Sequence, residues 1–162
     1  MITLNQILVA TDLNENAQLA VRYAVQLAKP FGAEVVGCHV LEPSFATLSN
    51  LTDTGGGTGL DVRASNARET VENLLIDAEA DRFRVLIEKG KPGSEIVRVA
   101  TNEDTDLIVV NTHDSSGIVH LLLGSTAEYI VRHATCPVMV VREGQHGFVQ
   151  PDSGATSRES VL

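Results

Sequence analysis

The sequence predicts an α/β fold, an open five-stranded parallel sheet with helices on both faces, and three observations carry that prediction. Strand-like apolar runs alternate with segments of helical spacing from one end of the chain to the other. Several of those runs are almost continuously apolar, as in Leu107-Ile108-Val109-Val110, which suits strands covered on both faces. The length, 162 residues, fits one domain with a core of its own.

Taken in order, Gln6 to Thr11 is a short apolar run closed by Asp12 and Asn14. Ala17, Ala20, Val21, Ala24, Leu27 and Ala28 then recur at helical spacing and give one buried stripe, which Pro30 and Gly32 end. The Val-rich segment Glu34 to Leu41 is a second strand, closed by Pro43. From Ser44 to about Gly59 the chain is small and polar, including Thr54-Gly55-Gly56-Gly57-Thr58-Gly59, and reads as a long mobile loop. Its glycines do not lie between a strand and an immediately following helix, so a flexible linker is expected rather than a phosphate loop. A helix from about Asp61 to Ala80 follows, with Ala67, Val71, Leu74, Leu75 and Ala78 on one face.

Arg84 to Glu88 is a third strand, ended by Gly90-Lys91-Pro92-Gly93, and Ile96, Val97, Val99 and Ala100 mark a short third helix. Asp106 to Asn111 is a fourth strand. Ser125-Thr126-Ala127-Glu128 has the spacing of a capping box, which places a helix start with Ser125 as its cap; the helix runs to about His133. Pro137 to Val141 is the fifth strand. The domain thus covers 1–142, and the Gly-, Ser- and polar-rich tail 143–162 is expected to be disordered.

A net charge of −9 disfavours DNA, RNA and anionic membranes as partners, because a diffuse negative field repels phosphate. No apolar run approaches the ~20 residues that span a bilayer. The start Met1-Ile2-Thr3-Leu4-Asn5-Gln6 has neither the basic residues nor the apolar stretch of a signal peptide, so a cytoplasmic location is expected. Cys38 and Cys136 each lie in or beside an apolar run and read as small buried hydrophobes in a reducing compartment.

In such sheets ligands bind outside the carboxyl ends of the strands, near the point where strand order reverses. Two loops fall there. In Ala10-Thr11-Asp12, the Asp12 carboxylate either accepts hydrogen bonds from a ligand's amine or hydroxyls, or merely caps the next helix or forms a turn with Asn14. In the second loop, Gly124-Ser125 opens a helix whose free N–H groups favour an anion, unless Ser125 serves only as a cap. Gly117 adds backbone freedom to that loop, and Ser115 and Ser116 add hydroxyls. His113-Asp114 does not read as a base and its orienter, since adjacent side chains rarely meet. His113, His120 and His133 match no strong metal spacing. No catalytic or metal-ligating residue is assigned.

The stretch from Asn111 through Gly124-Ser125-Thr126-Ala127-Glu128 to Cys136-Pro137-Val138 resembles the signature region of the universal stress protein (UspA-like) family. Ile7 to Asp12, His39-Val40-Leu41 and Gly90-Lys91-Pro92 match in place and order, so the resemblance covers roughly residues 5–142. It implies a Rossmann-like, adenine nucleotide alpha hydrolase-like sheet. It assigns adenine and ribose contacts to Ala10, Thr11, Asp12 and Val40. Phosphate and ribose contacts fall to the loop beginning at Asn111 and to Gly124, Ser125 and Thr126. The resemblance also implies a homodimer formed through the last strand, Pro137 to Val141. An unpaired Val-rich edge favours the same association.

In nucleotide-binding members the loop carries glycines where this chain has Asn111 and Asp114. Both side chains tolerate a left-handed backbone. A carboxylate about 5 Å from a phosphate charge nevertheless costs roughly 3 kcal/mol at an effective dielectric near 20. A bridging Mg²⁺ reverses that sign. Two functions follow: a non-catalytic stress-response homodimer acting through partner association, or an ATP-binding switch, with Mg²⁺, that hydrolyses slowly if at all.

Overall fold

In the computed structural model, which describes residues 1–14, 16–43, 59–112, 123–142 and 149, the apolar runs become five parallel strands. These are β1 (Gln6–Ala10), β2 (Glu34–Leu41), β3 (Phe83–Lys89), β4 (Leu107–Asn111) and β5 (Val138–Val141). Among the described residues four α-helices connect them: α1 (Ala17–Ala28), α2 (Gly59–Asp77), α3 (Pro92–Asn102) and α4 (Ser125–His133). A 3₁₀ turn, Lys29–Phe31, follows α1, and Gly32 ends it in the left-handed region at φ 62°. Most boundaries lie close to their sequence expectations, but α3 begins at Pro92, four residues before Ile96, because proline is suited to the first turn of a helix. The expected loop 44–58 lies outside the described residues, and Gly59 opens α2 rather than closing that loop. Of the expected tail only Val149 is described, partly buried against the core.

The strands are ordered β3-β2-β1-β4-β5 and every pair is parallel. Successive strands therefore step outward from β1 through β2 to β3, and the chain then returns to the other side of β1 for β4 and β5. The reversal lies between β1 and β4. Their register is pinned at the amino ends, where Asp106 Oδ2 accepts the Asn5 and Gln6 N–H groups at 2.6 and 3.0 Å and the Asp106 N–H donates to the Gln6 carbonyl at 3.0 Å.

Alternation along β1 divides the core in two. Ile7 and Val9 face α1 and α2, packing with Val21, Val25, Val71 and Leu75. Leu8 and Ala10 face α3 and α4, packing with Ile96, Val99, Ala127 and Ile130. On β2, Gly37 lets α2 approach: a Cβ there would lie 2.5 Å from Val71 Cγ1. Cys38 is fully buried, and loss of water pushes its thiol up to about 12, so it packs as a small hydrophobe. Cys136 is half-buried, which is less than its apolar surroundings suggested.

Candidate functional site

The carboxyl ends of β1, β2 and β4 and the amino ends of α3 and α4 enclose a cleft of about 340 Å³ at the reversal point. That volume is within the range of small-molecule sites. Its floor is apolar: Ala10, Val40, Ile96, Val110 and Ala127 line it and all are buried. Its rim is polar, with Asp12, Glu42, Gly124 and Ser125 exposed. A flat hydrophobic ring thus has a matching floor, and charged or hydroxylated groups have partners at the edge.

The loop after β1 is held by its own side chains. Leu13 takes a left-handed backbone at φ 61°, which a branched side chain rarely adopts. Thr11 Oγ1 accepts the Leu13 N–H at 3.1 Å, and Asp12 Oδ1 accepts the Asn14 N–H at 3.3 Å. Asn14 Nδ2 donates to Asp12 Oδ2 at 2.5 Å, while Asn14 Oδ1 accepts the Asn16 N–H at 2.9 Å. Asp12 therefore turns on Asn14 while remaining exposed on the cleft rim, and it does not cap α1, whose N-cap is Asn16 because the turn through Asn14 places the helix start beyond its reach. His39 adds a tie that sequence reasoning missed. Its Nδ1 lies 2.8 Å from the Thr11 carbonyl, which can only accept, so that nitrogen carries the proton. The available signal was a lone polar residue between buried Cys38 and Val40.

At α4 the structure corrects one expectation. Gly124, at φ 65° and ψ 146°, is the N-cap, and no side chain among the described residues caps the helix. Ser125 is the first helical residue, so the expected capping box does not form. Glu128 instead pairs with Arg132, with Nε donating to Oε1 at 3.0 Å. The physical reason is the backbone at Gly124, a conformation open essentially only to glycine, which starts the helix one residue early. The first-turn N–H groups then face the cleft without side-chain competition, and the Ser125 hydroxyl is not consumed as a cap.

Asn111 is half-buried at the end of β4. Its Nδ2 lies 3.5 Å from Asn14 Oδ1, on the α1 side of the sheet, so its bulk is turned from the apolar floor. The next residue, Thr112, also lines the cleft and was missed by sequence reasoning. Asp114 and Gly117, with Ser115, Ser116, His113 and His120, lie outside the described residues. His133 sits at the end of α4, its Nδ1 2.8 Å from the Tyr129 carbonyl and its ring stacked on Tyr129.

Of the sequence-predicted site residues, Ala10, Thr11, Asp12, Val40, Asn111, Gly124, Ser125 and Thr126 all line this one cleft. Among the described residues no cluster of three or more His, Cys, Asp or Glu side chains could hold a metal alone. The donors on the rim, Asp12 and Glu42, suit Mg²⁺ only together with a ligand's phosphate oxygens, which is how that ion is usually shared.

Comparison with known proteins agrees with the geometry. Residues 3–142 match the model of the universal stress protein family. A universal stress protein of Methanocaldococcus jannaschii is 30% identical over 141 residues, covering 85% of this chain and 82% of that protein. The structure of a universal stress protein in complex with cAMP superposes with a TM-score of 0.68 at 20% identity, covering 87% of this chain and 98% of that one. The universal stress protein from Archaeoglobus fulgidus in complex with dAMP gives a TM-score of 0.62 at 21% identity, covering 86% and 98%.

Proposed function

This chain belongs to the universal stress protein family, and from that premise we propose that it is a cytoplasmic, non-catalytic stress-response homodimer that holds an adenine nucleotide in the cleft between β1 and β4. The observation that carries this reading is the composition of that cleft. A buried apolar floor for a base and the uncapped amino end of α4 for an anion share one opening at the reversal of strand order. The adenine nucleotides bound by the structural neighbours, cAMP and dAMP, support the same ligand class. In this reading the ring lies against Ala10 and Val40, Asp12 accepts from ribose hydroxyls, and Gly124, Ser125 and Thr126 hold phosphate. Mg²⁺, when bound, neutralises charge between phosphate and the rim carboxylates.

Dimerisation belongs to β5. Among the described residues it pairs only with β4, and its four residues, Val138 to Val141, carry no charge to discourage a second strand. No helix among the described residues is long and apolar enough to cross a membrane. Partner association is then the output and nucleotide occupancy the input. Calorimetry of nucleotide-free protein with AMP and ATP, each with and without Mg²⁺, tests the ligand. Saturable one-to-one binding is expected, and no heat with no thermal shift at millimolar nucleotide would end this reading.

A further inference from the structure

Near its carboxyl end, β2 places an imidazole between two buried apolar side chains. Cys38 and Val40 pack into the layer that floors the cleft, while His39 is half-buried. The His39 Nδ1 donates to the Thr11 carbonyl at 2.8 Å, a reach from one strand to the loop that leaves the next. The Thr11 N–H in turn donates to the Cys38 carbonyl at 3.0 Å. Both polar groups of the Thr11 backbone are thus held by consecutive residues of β2.

The bonds inside this loop fix its shape but not its place. Thr11 Oγ1 with the Leu13 N–H, and the Asp12 carboxylate with Asn14, lie within residues 11–14 and move with them. Leu13, at φ 61°, makes the loop a strained one, and such a backbone persists only where its surroundings over-determine it. Among the described residues, the side-chain ties from other strands are His39 to Thr11 and, longer at 3.5 Å, Asn111 to Asn14. Asp12 follows Thr11 and Val40 follows His39, so the shorter tie sets the spacing between rim carboxylate and apolar floor.

We infer that His39 is a positioning residue of the cleft: its imidazole anchors the loop to β2 at Thr11 and fixes where Asp12 stands relative to Val40. The inference rests on the nucleotide reading above and says what holds its hydroxyl acceptor in place. A base and its sugar are joined by a single bond, so floor and acceptor must keep one spacing. A carboxylate already held there loses less freedom on binding than one on a loose loop.

The test uses the full chain with His39→Leu, His39→Asn, Asp12→Ala and the His39→Leu, Asp12→Ala double variant. Thermal melts establish that each is folded before calorimetric titration with AMP. Asparagine keeps an N–H donor at the δ position, and leucine removes it. His39→Leu is expected to weaken AMP binding roughly threefold to tenfold, the worth of one neutral hydrogen bond, with His39→Asn within about twofold of wild type. In the Asp12→Ala background His39→Leu is expected to cost nothing further, because it acts through that carboxylate. Equal losses in both backgrounds overturn the inference, as does wild-type affinity in His39→Leu or an asparagine variant as weak as the leucine one. Ring ¹⁵N shifts of the wild type, with the imidazole neutral, are expected to show a protonated Nδ1, a measurement that needs no variant to fold. AMP binding with a bare Nδ1 defeats this inference alone. Absence of AMP binding with Nδ1 protonated defeats the nucleotide reading and this inference with it.

Discussion

The family resemblance implies glycines where this chain has Asn111 and Asp114, and the two residues weigh differently on the proposed ligand. Asn111 is engaged with Asn14 on the α1 side of the sheet, so its amide neither fills the cleft floor nor adds charge. Asp114 adds a full negative charge to the same loop. The penalty of roughly 3 kcal/mol for a carboxylate about 5 Å from a phosphate charge corresponds to about two orders of magnitude in affinity and grows with phosphate count. Without Mg²⁺, Asp114→Gly is therefore expected to raise ATP affinity by up to about a hundredfold and AMP affinity much less. Asn111→Gly alone is expected to change either by only a few fold. Competition titrations of the two variants check this. Equal gains from both would show that bulk rather than charge governs the loop. At this scale a residue's role was illegible from its own letter wherever a neighbour decides it. Ser125-Thr126-Ala127-Glu128 has the letters of a capping box, but the Gly124 backbone pre-empts it. His39 and Thr112 carry no motif; their roles arise from contacts with Thr11 and with the cleft.

The elements were legible because each has one strong periodicity. The apolar runs gave all five strands, and the stripes of Ala17 to Ala28 and Ala67 to Ala78 gave the helices that bury them. Ends were less legible, since a ladder or helix stops where its last hydrogen bond does and not where its pattern ends. The packing of α2 against β2 was not legible at all. Gly37 reads as a neutral residue in a Val-rich strand, but its missing side chain sets how closely Val71 and Leu75 approach the sheet. A methyl group there would meet Val71 Cγ1 at 2.5 Å and Leu75 Cδ1 at 3.0 Å. Gly37→Ala is expected to destabilise the protein by about 1–3 kcal/mol, as overpacking of a tight core does. Urea unfolding measures it, and an unchanged midpoint would mean that α2 slides without cost.

Across the whole molecule, strand order converts these local features into a site. The chain leaves β1 in one direction and returns on its other side, which opens a crevice beneath the loops of Asp12 and Asn111. The alternating pattern foretold a parallel sheet, and a cleft does open at the carboxyl ends of its strands. Which two strands flank the reversal followed only from the pairing of β1 with β4. The same order leaves β5 at an edge, where the homodimer is expected. Light scattering should give about twice the chain mass of 17.3 kDa, and a monomer at every concentration would contradict that assembly.

The claim that joins these scales is that one adenine nucleotide sits in the cleft between β1 and β4. An amide-resolved NMR titration of the nucleotide-free protein with AMP tests it most directly. The account predicts saturable shifts concentrated at Asp12, Val40, Thr112, Ser125 and Thr126, with the amino ends of the strands unmoved. Shifts centred elsewhere, or none at saturating nucleotide, would contradict it.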